Sequence, residues 1–334
     1  MKILAREILI NNFIIVLFGF LLGSLFIIFF KKLALRYNLL VSKGIPLIGG
    51  VAIGLSFLFT ELFIFLGSGP LSKTVTGIII ASLIMLLFGL LDDWREQSIV
   101  VKFLAQIIAT AFLVIFGIKT RIVYIGEPLN IIITFTWVIG ITNAFNLLDI
   151  MDGLASGAAA ILCFFLFIAS FLRHDINSII LCLGLEGAIV SFLRYNLPPA
   201  KLYLGNSGSH FLGFVFAAIA LVINYASLEN KIALLCPLLI LGLPIFDTAF
   251  LVLIRMLKKT LPFKKSNDHL AFKFLAMGYS KKKALSLMLG LCLYFCLCGI
   301  FVLNVSNIWS VFVVICALFV SLIVGIKMSR FNYA

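Results

Sequence analysis

Two polar stretches of this apolar chain carry closely spaced carboxylates. Asp92 and Asp93 lie near the end of the segment LLFGLLDDW, and Asp149 and Asp152 lie in ITNAFNLLDIMDGLASG. Adjacent carboxylates repel each other unless a cation lies beside them, and oxygen ligands suit Mg²⁺ or Mn²⁺ rather than zinc. The two stretches therefore predict a divalent-cation site.

The second stretch also contains the amides Asn143 and Asn146. Asn146, Asp149 and Asp152 recur every three residues. If the stretch is helical, these side chains share one broad face and can converge on one ion. A helix cap or a pairing with lysine explains any single aspartate equally well, but several polar stretches on one side of the chain favour a site.

A third stretch, KLYLGNSGSHFLGF, contains Asn206, Ser207, Ser209 and His210. Its glycines allow a backbone to approach phosphate closely, just before a helix N-terminus that favours anions. His210 is open to a different interpretation, as a residue that caps or packs.

The fourth stretch, RMLKKTLPFKKSNDHLAFK, is a basic loop with Lys264, Lys265, Asp268 and His269. Its charge is first of all typical of a cytoplasmic loop. A second interpretation is a site for lipid headgroups or pyrophosphate.

Composition identifies the elements that must position these residues. The chain has 334 residues, of which 63% are hydrophobic and 12% charged, and its mean hydropathy is +1.23. A soluble domain is about half hydrophobic and about a quarter charged, so this chain carries more apolar surface than a soluble core can use. The net charge of +13 fits cytoplasmic loops, and we expect no nucleic acid partner because no soluble module displays the charge. The seven cysteines lie in apolar runs and are expected to pack without disulfides or zinc.

The sequence predicts an all-α integral membrane protein, a polytopic bundle of about eleven transmembrane helices, with ten as the alternative. It forms a single domain over residues 1–334, with its polar loops on the cytoplasmic side. A small external hairpin is predicted in RIVYIGEPLNI. The predicted spans are 13–30, 48–67, 75–91, 103–118, 130–145, 157–172, 178–193, 210–228, 232–254, 284–303 and 307–326.

Basic residues fix the predicted orientation. With eleven spans, nineteen lysines and arginines fall on the side reached after the first helix and seven on the other. The positive-inside rule makes the first side cytoplasmic. We therefore predict an external N-terminus, a cytoplasmic C-terminus and a cytoplasmic site in a bacterial inner membrane.

An ordered set of motifs from Lys43 to Tyr279 resembles the polyprenyl-phosphate N-acetylhexosamine-1-phosphate transferases, glycosyltransferase family 4. Members of this family include phospho-N-acetylmuramoyl-pentapeptide transferase and GlcNAc-1-phosphate transferases. Each motif is weak alone, but their order and topology are specific. The motifs are GIPLIGG at 44–50, GLLDDW at 89–94 followed by Lys102 and Gln106, NAFNLLDIMDGLASG at 143–157, RYNLPPAKLYLGNSGS at 194–209 and LPIFDTAFLVLIR at 243–255.

The resemblance implies that an amino-sugar 1-phosphate passes from a UDP-sugar to polyprenyl phosphate, such as undecaprenyl phosphate, with release of UMP. This is the first membrane step of a cell-envelope glycan such as lipopolysaccharide or teichoic acid. Mg²⁺, with Mn²⁺ as the alternative, would bridge the pyrophosphate.

The resemblance also assigns roles to the residues. The implied catalytic residues are Asp92, Asp93, Asp149 and Asp152; the implied metal ligands are Asp92, Asp93 and, weakly, Asn206; the implied substrate-binding residues are Lys102, Asn143, Asn146, Ser207, Ser209, Lys264, Lys265 and His269.

Three departures from the family pattern matter. Asn206 stands where the family usually has an aspartate metal ligand, Ile150 stands where glycine is usual, and the multi-histidine loop is reduced to NDHLAFK. The lost histidines favour the GlcNAc-like branch over the muramoyl-pentapeptide branch.

Two other functions stay open: a transporter of lipid or sugar phosphates, and a catalytically silent relative, which Asn206 motivates. Membrane lipids are expected partners, and a homodimer is one open oligomeric state.

Overall fold

The computed structural model describes residues 2–67, 72–227, 229–259 and 267–331. Within these ranges the chain is almost entirely helical. The helices are α1 Lys2–Tyr37, α2 Gly49–Gly67, α3 Lys73–Trp94, α4 Ile99–Ile115, α5 Gly126–Leu148, α6 Leu154–Leu172, α7 Ile176–Asn196, α8 Gly205–Val222, α9 Cys236–Ile240, α10 Gly242–Leu257, α11 Leu270–Ala276, α12 Lys281–Asn304 and α13 Asn307–Ser329, and the strands are β1 Val41–Ser42 and β2 Ile45–Pro46.

The prediction of an all-α polytopic membrane protein is confirmed. In the described ranges, eight helices are long and apolar enough to span a membrane, and a bent pair brings the number to nine. Two further apolar helices, Gly49–Ile64 and Ile99–Ile115, are shorter. Each of the eleven predicted runs coincides with one of these elements, while the number of spans stays a prediction.

The predicted span 232–254 is not one straight helix. The segments Ile232–Ile240 and Gly242–Leu257 meet at an angle of 75°. Pro244 has no N–H to donate to the carbonyl of Ile240, so the regular ladder stops there. The thiol of Cys296 donates to that carbonyl oxygen instead, over 3.4 Å.

The predicted hairpin in RIVYIGEPLNI is wrong. Residues Val123–Ile125 form a 3-10 turn, and α5 begins at Gly126. Pro128 lies in the first turn of α5, where a missing N–H costs nothing. The side chain of Asn130 then holds the segment by accepting from Ile122 N at 2.8 Å and donating to the Gly126 carbonyl at 2.8 Å.

A short antiparallel hairpin that the sequence did not predict joins α1 to α2. Its turn residues Lys43 and Gly44 have φ values of +52° and +79°, a left-handed pair typical of a type I′ turn. Tyr203 N donates to the carbonyl of Pro46, and Gly49 N donates to the carbonyl of Tyr203. The hairpin therefore fixes the segment that leads into α8.

Helix α8 lies at the centre of the bundle, packed against α2, α3 and α5. Of its most apolar stretch of 18 residues, 83% are buried, against 17% for the corresponding stretch of α1 and 11% for that of α13. Gly50 of α2 approaches α8 so closely that a Cβ there would lie 1.9 Å from Gly208 N. Because no side chain separates these helices, the position of the α8 N-terminus is set by backbone contact.

Candidate functional site

A cavity of about 1540 Å³ opens where the C-terminal ends of α3 and α5 meet the N-terminal ends of α4 and α8. Helix α10 and residues near α11 close its remaining side. Its volume is sufficient for a nucleotide-sized ligand. The predicted site residues that line it are Asp92, Asp93, Lys102, Asn143, Asn146, Asp149, Asp152, Asn206 and His269.

Of the other four predicted residues, two lie behind the wall of the cavity and two lie outside the described residues. Ser207 and Ser209 are buried behind its wall, in the first two turns of α8. Lys264 and Lys265 lie outside the described residues, so their predicted contact with phosphates stays a prediction.

Asp92 is held by a cation and a backbone donor. Lys102 Nζ lies 2.6 Å from Asp92 Oδ2, and Gln97 N donates to Oδ1 over 2.7 Å. The Asp92 side chain is fully buried, whereas 21% of the Lys102 side chain is exposed. Lys102 therefore neutralises a buried carboxylate while its ammonium stays accessible from the cavity.

Asp93 caps the central helix. Its Oδ1 accepts from Asn206 N at 2.7 Å and its Oδ2 from Ser207 N at 2.9 Å. The free helix N-terminus predicted for phosphate is therefore already occupied at these two amides. Gly205, with φ +75°, permits the approach, because a Cβ there would lie 2.7 Å from Asp93 Oδ2.

The idea that Asn146, Asp149 and Asp152 share one helical face is wrong, because α5 ends at Leu148. Asn146 on α5, together with Asp149 and Asp152 on the loop that follows, still lines the cavity. Asn146 Oδ1 accepts from Ser209 Oγ at 2.8 Å, and Asp152 Oδ2 accepts from Ala200 N at 3.1 Å. Each of these two side chains is thus fixed by a residue from a different segment of the chain.

Asp149 differs from its neighbours. Among the described residues its carboxylate accepts no hydrogen bond and forms no ion pair. Burial, together with repulsion from Asp93 and Asp152, raises the pKa of Asp149 to about 7. An acidic group with no protein partner in a cavity is a candidate for binding a cation or a substrate donor.

A reciprocal amide pair fixes the wall between α4 and α5. Asn143 Nδ2 donates to Gln106 Oε1 over 2.7 Å, and Gln106 Nε2 donates to Asn143 Oδ1 over 3.2 Å. Asn143 therefore presents a fixed amide to the cavity.

Sequence reasoning assigned no role to Asp247, which orients His269. Asp247 Oδ2 lies 2.8 Å from His269 Nδ1, and Oδ1 accepts from Leu270 N at 2.9 Å. The pairing leaves His269 Nε2 for the cavity that the ring lines. A carboxylate within the apolar segment LPIFDTAF was the available signal, since such residues are costly in a membrane.

The donors of the cavity fit a hard cation in part. Asp149 and the amide oxygen of Asn206 are oxygen ligands of the preferred kind. No three His, Cys, Asp or Glu side chains of the described ranges converge into a closed cage. This arrangement suits Mg²⁺, which takes one or two carboxylates and completes its shell with water and substrate phosphates.

The fold and the cavity together define a polytopic membrane protein with a polar binding site at the ends of its helices. Residues 75–224 match the family described as Glycosyl transferase family 4. A probable undecaprenyl-phosphate N-acetylglucosaminyl 1-phosphate transferase of Bacillus subtilis (strain 168) is 30% identical over 282 residues, 81% of this chain and 77% of that protein. The chain belongs to glycosyl transferase family 4, as its motifs predicted.

Two other relatives represent the branches of the family. The undecaprenyl-phosphate alpha-N-acetylglucosaminyl 1-phosphate transferase of Thermotoga maritima is 29% identical over 77% of this chain and 77% of its own length. The phospho-N-acetylmuramoyl-pentapeptide-transferase of Bacillus cytotoxicus is 29% identical over 66% of this chain and 76% of its own length. The likeness to the two N-acetylglucosaminyl 1-phosphate transferases of Bacillus subtilis and Thermotoga maritima extends over more of the chain than the likeness to this pentapeptide transferase, in agreement with the branch predicted from the reduced histidine loop.

Proposed function

We propose that this protein transfers an N-acetylhexosamine 1-phosphate, or a related amino-sugar 1-phosphate, from a UDP-sugar to undecaprenyl phosphate and releases UMP. The observation that carries the proposal is the cavity, because it brings residues of all five family motifs to one place. The names of the relatives in Bacillus subtilis and Thermotoga maritima describe a transfer of this type to undecaprenyl phosphate.

The proposed reaction is a direct displacement at phosphorus. An oxygen of the lipid phosphate forms a bond to the phosphorus attached to the sugar. The bond from that phosphorus to the bridging oxygen of the diphosphate breaks, and its electron pair leaves with UMP. The acceptor is already an anion at neutral pH, so the protein must mainly hold both phosphates in line.

Lys102 and Asp92 are proposed to position the acceptor. The accessible ammonium of Lys102 attracts the lipid phosphate, and Asp92, 2.6 Å from it, keeps that ammonium in place. Asp92 also accepts a proton from any singly protonated acceptor. Asn143 and His269 are proposed to bind the donor from the opposite walls of the cavity.

A bound Mg²⁺ would offset the charge that develops on the diphosphate. Asp149 and Asn206 are the side chains proposed to hold it, with the outer lone pairs of Asp93. Asn206 is a neutral ligand in this proposal, and its amide cannot serve as a covalent nucleophile. The direct route requires no such nucleophile, so Asn206 is compatible with activity.

The proposed location is the inner membrane of a bacterium, with the N-terminus external, the C-terminus cytoplasmic and the cavity facing cytosolic nucleotides. The excess of basic residues on one side supports this orientation. Reporter fusions after Asn177 and after Pro262 should read external and cytoplasmic, respectively. The reverse result would place the cavity away from its nucleotide and contradict the proposal.

A catalytically silent relative is the second candidate, and Asn206 is the observation that favours it. A transporter is disfavoured because the cavity lies at helix ends such as Asp92 and Asn206, whereas transporter sites lie near the bilayer midplane on broken helices.

The test is to incubate purified protein with Mg²⁺, undecaprenyl phosphate and each of several UDP-sugars, and to measure UMP. We expect UMP release that requires both the lipid and an amino-sugar donor. A wild-type protein that is inactive, beside an Asn206→Asp variant that turns over, would identify the silent relative instead.

A further inference from the structure

Next to Asp92 lies a buried histidine to which the proposed reaction gives no role. The side chain of His210, in the second turn of α8, is fully buried and packs beside Phe88. In the part of the chain that the structure describes, neither ring nitrogen has a hydrogen-bond partner. Buried polar atoms are usually satisfied, so this imidazole requires an explanation.

The nearest acceptor is the carboxylate that the proposed mechanism uses. His210 Nε2 lies 3.9 Å from Asp92 Oδ2, the same oxygen that lies 2.6 Å from Lys102 Nζ. Gln97 N holds the other oxygen, Oδ1, at 2.7 Å. Asp92 can therefore pivot about Oδ1 so that Oδ2 moves from Lys102 toward His210.

A substrate would produce this movement. An anionic phosphate that binds Lys102 competes with Asp92 for the ammonium and repels its carboxylate. A shift of about 1 Å brings Oδ2 within hydrogen-bonding distance of His210 Nε2. The neutral imidazole with its proton on Nε2 is a donor, so the carboxylate exchanges one partner for another without any proton transfer.

We propose that His210 is a positioning residue that receives the carboxylate of Asp92 when an anionic acceptor takes up Lys102. The inference rests on the proposed function and adds to it a second state of Asp92. In that state Asp92 stays fixed beside the acceptor. Without His210, Oδ2 of the displaced carboxylate has no donor and competes with the acceptor for Lys102.

The first test separates this role from simple packing. His210→Phe removes the donor, and His210→Gln retains an amide donor. We expect about tenfold lower kcat for His210→Phe, the loss typical of one hydrogen bond to a charged group, with most of the rate restored in His210→Gln. Phe211→Leu is the control, because Phe211 packs against Phe57; its kcat should stay within about threefold.

Thermal stability of each variant in detergent completes this test. Equal kcat in wild type and His210→Phe would overturn the inference while leaving the proposed function intact. Equal losses in the Phe and Gln variants, matched by equal losses of stability, would assign His210 to packing and would also overturn it. Absence of turnover in wild type would remove the proposed function and this inference with it.

The second test requires no turnover. The chain has three histidines, so ¹⁵N-histidine labelling in nanodiscs gives few signals, and the His210→Phe variant assigns the one of interest. Saturation with undecaprenyl phosphate should shift the Nε2 resonance of His210 in wild type and leave it unchanged in Asp92→Ala. An unshifted resonance in wild type, with lipid binding verified by its ³¹P signal, would overturn the inference.

Discussion

At the end of the bundle opposite the cavity, two asparagines close their loops with every side-chain polar group bonded. Asn130 accepts from Ile122 N and donates to two carbonyls. Asn230 accepts from Ala233 N and donates to the carbonyls of Val302 and Val305. At the cavity end, by contrast, Asp149 and His210 lack such partners among the residues that the structure describes. The difference separates polar groups that stabilise the fold from groups held ready for a ligand.

The largest expected effect is a difference in turnover between two lysine variants, one at each end of the bundle. Lys102→Met leaves the buried Asp92 without its cation, and we expect UMP release to fall about 100-fold. Lys119→Met is the matched control, because Lys119 pairs with the largely exposed Glu127 at the opposite end. Its turnover should stay within about twofold, as expected for a surface pair. Similar losses in both variants would contradict the functional distinction between the two ends.

Metal dependence tests the cavity end alone. Chelation of divalent cations should abolish turnover, and turnover that persists in chelator would contradict the proposed Mg²⁺.

Asn206→Asp adds a charged hard ligand at the start of α8. We expect it to retain activity and to lower the Mg²⁺ concentration for half-maximal rate about tenfold. A sugar-phosphate adduct on the protein in the absence of lipid would contradict direct displacement.

The opposite end should respond in stability rather than in rate. Asn230→Ala removes hydrogen bonds of 2.7 and 2.6 Å to two carbonyls, and we expect a loss of about 2 kcal/mol in the free energy of unfolding. Thermal unfolding in detergent measures it. The kcat of the folded protein should be unchanged, and a large change in kcat would show that the two ends are coupled.

The smallest expected effect is a pH dependence of stability without metal. The folded state raises the pKa of Asp149 from 3.8 to about 7, so it binds this proton more tightly than the unfolded chain does. The stabilisation is present at low pH and is lost as pH rises through about 7. In chelator, Tm should fall between pH 5 and pH 8 by about 2 °C more in wild type than in Asp149→Asn. Parallel curves would contradict the cause assigned to the shift.

The sequence predicted the helices well because long apolar runs determine them locally. It missed the break before Gly242, since the lost Pro244 bond matters only where another helix, through Cys296, satisfies the freed carbonyl. It likewise placed a hairpin where Asn130 instead organises a helix start. In both places a contact distant along the chain or around a turn decides the local structure.

The sequence identified the members of the site but not their partners. It identified Asp92 and Asp93 as one acidic pair. In the structure, Asp92 pairs with Lys102, and Asp93 accepts hydrogen bonds from backbone amides of α8. Residue types and spacing predict which groups a ligand needs. Packing between α3 and α8 decides which carboxylate also stabilises the fold by capping a helix. The local sequence pattern contains no information on that packing.

The glycine contacts around α8 have a consequence for engineering this protein. A Cβ on Gly89 would lie 2.5 Å from Ser207 Cα, and one on Gly50 would lie 1.9 Å from Gly208 N. These positions do not line the cavity, yet any side chain there would displace the helix start that carries Asn206. Libraries that seek a new donor sugar should keep them invariant and diversify Val252 and Phe272, which line the far wall of the cavity.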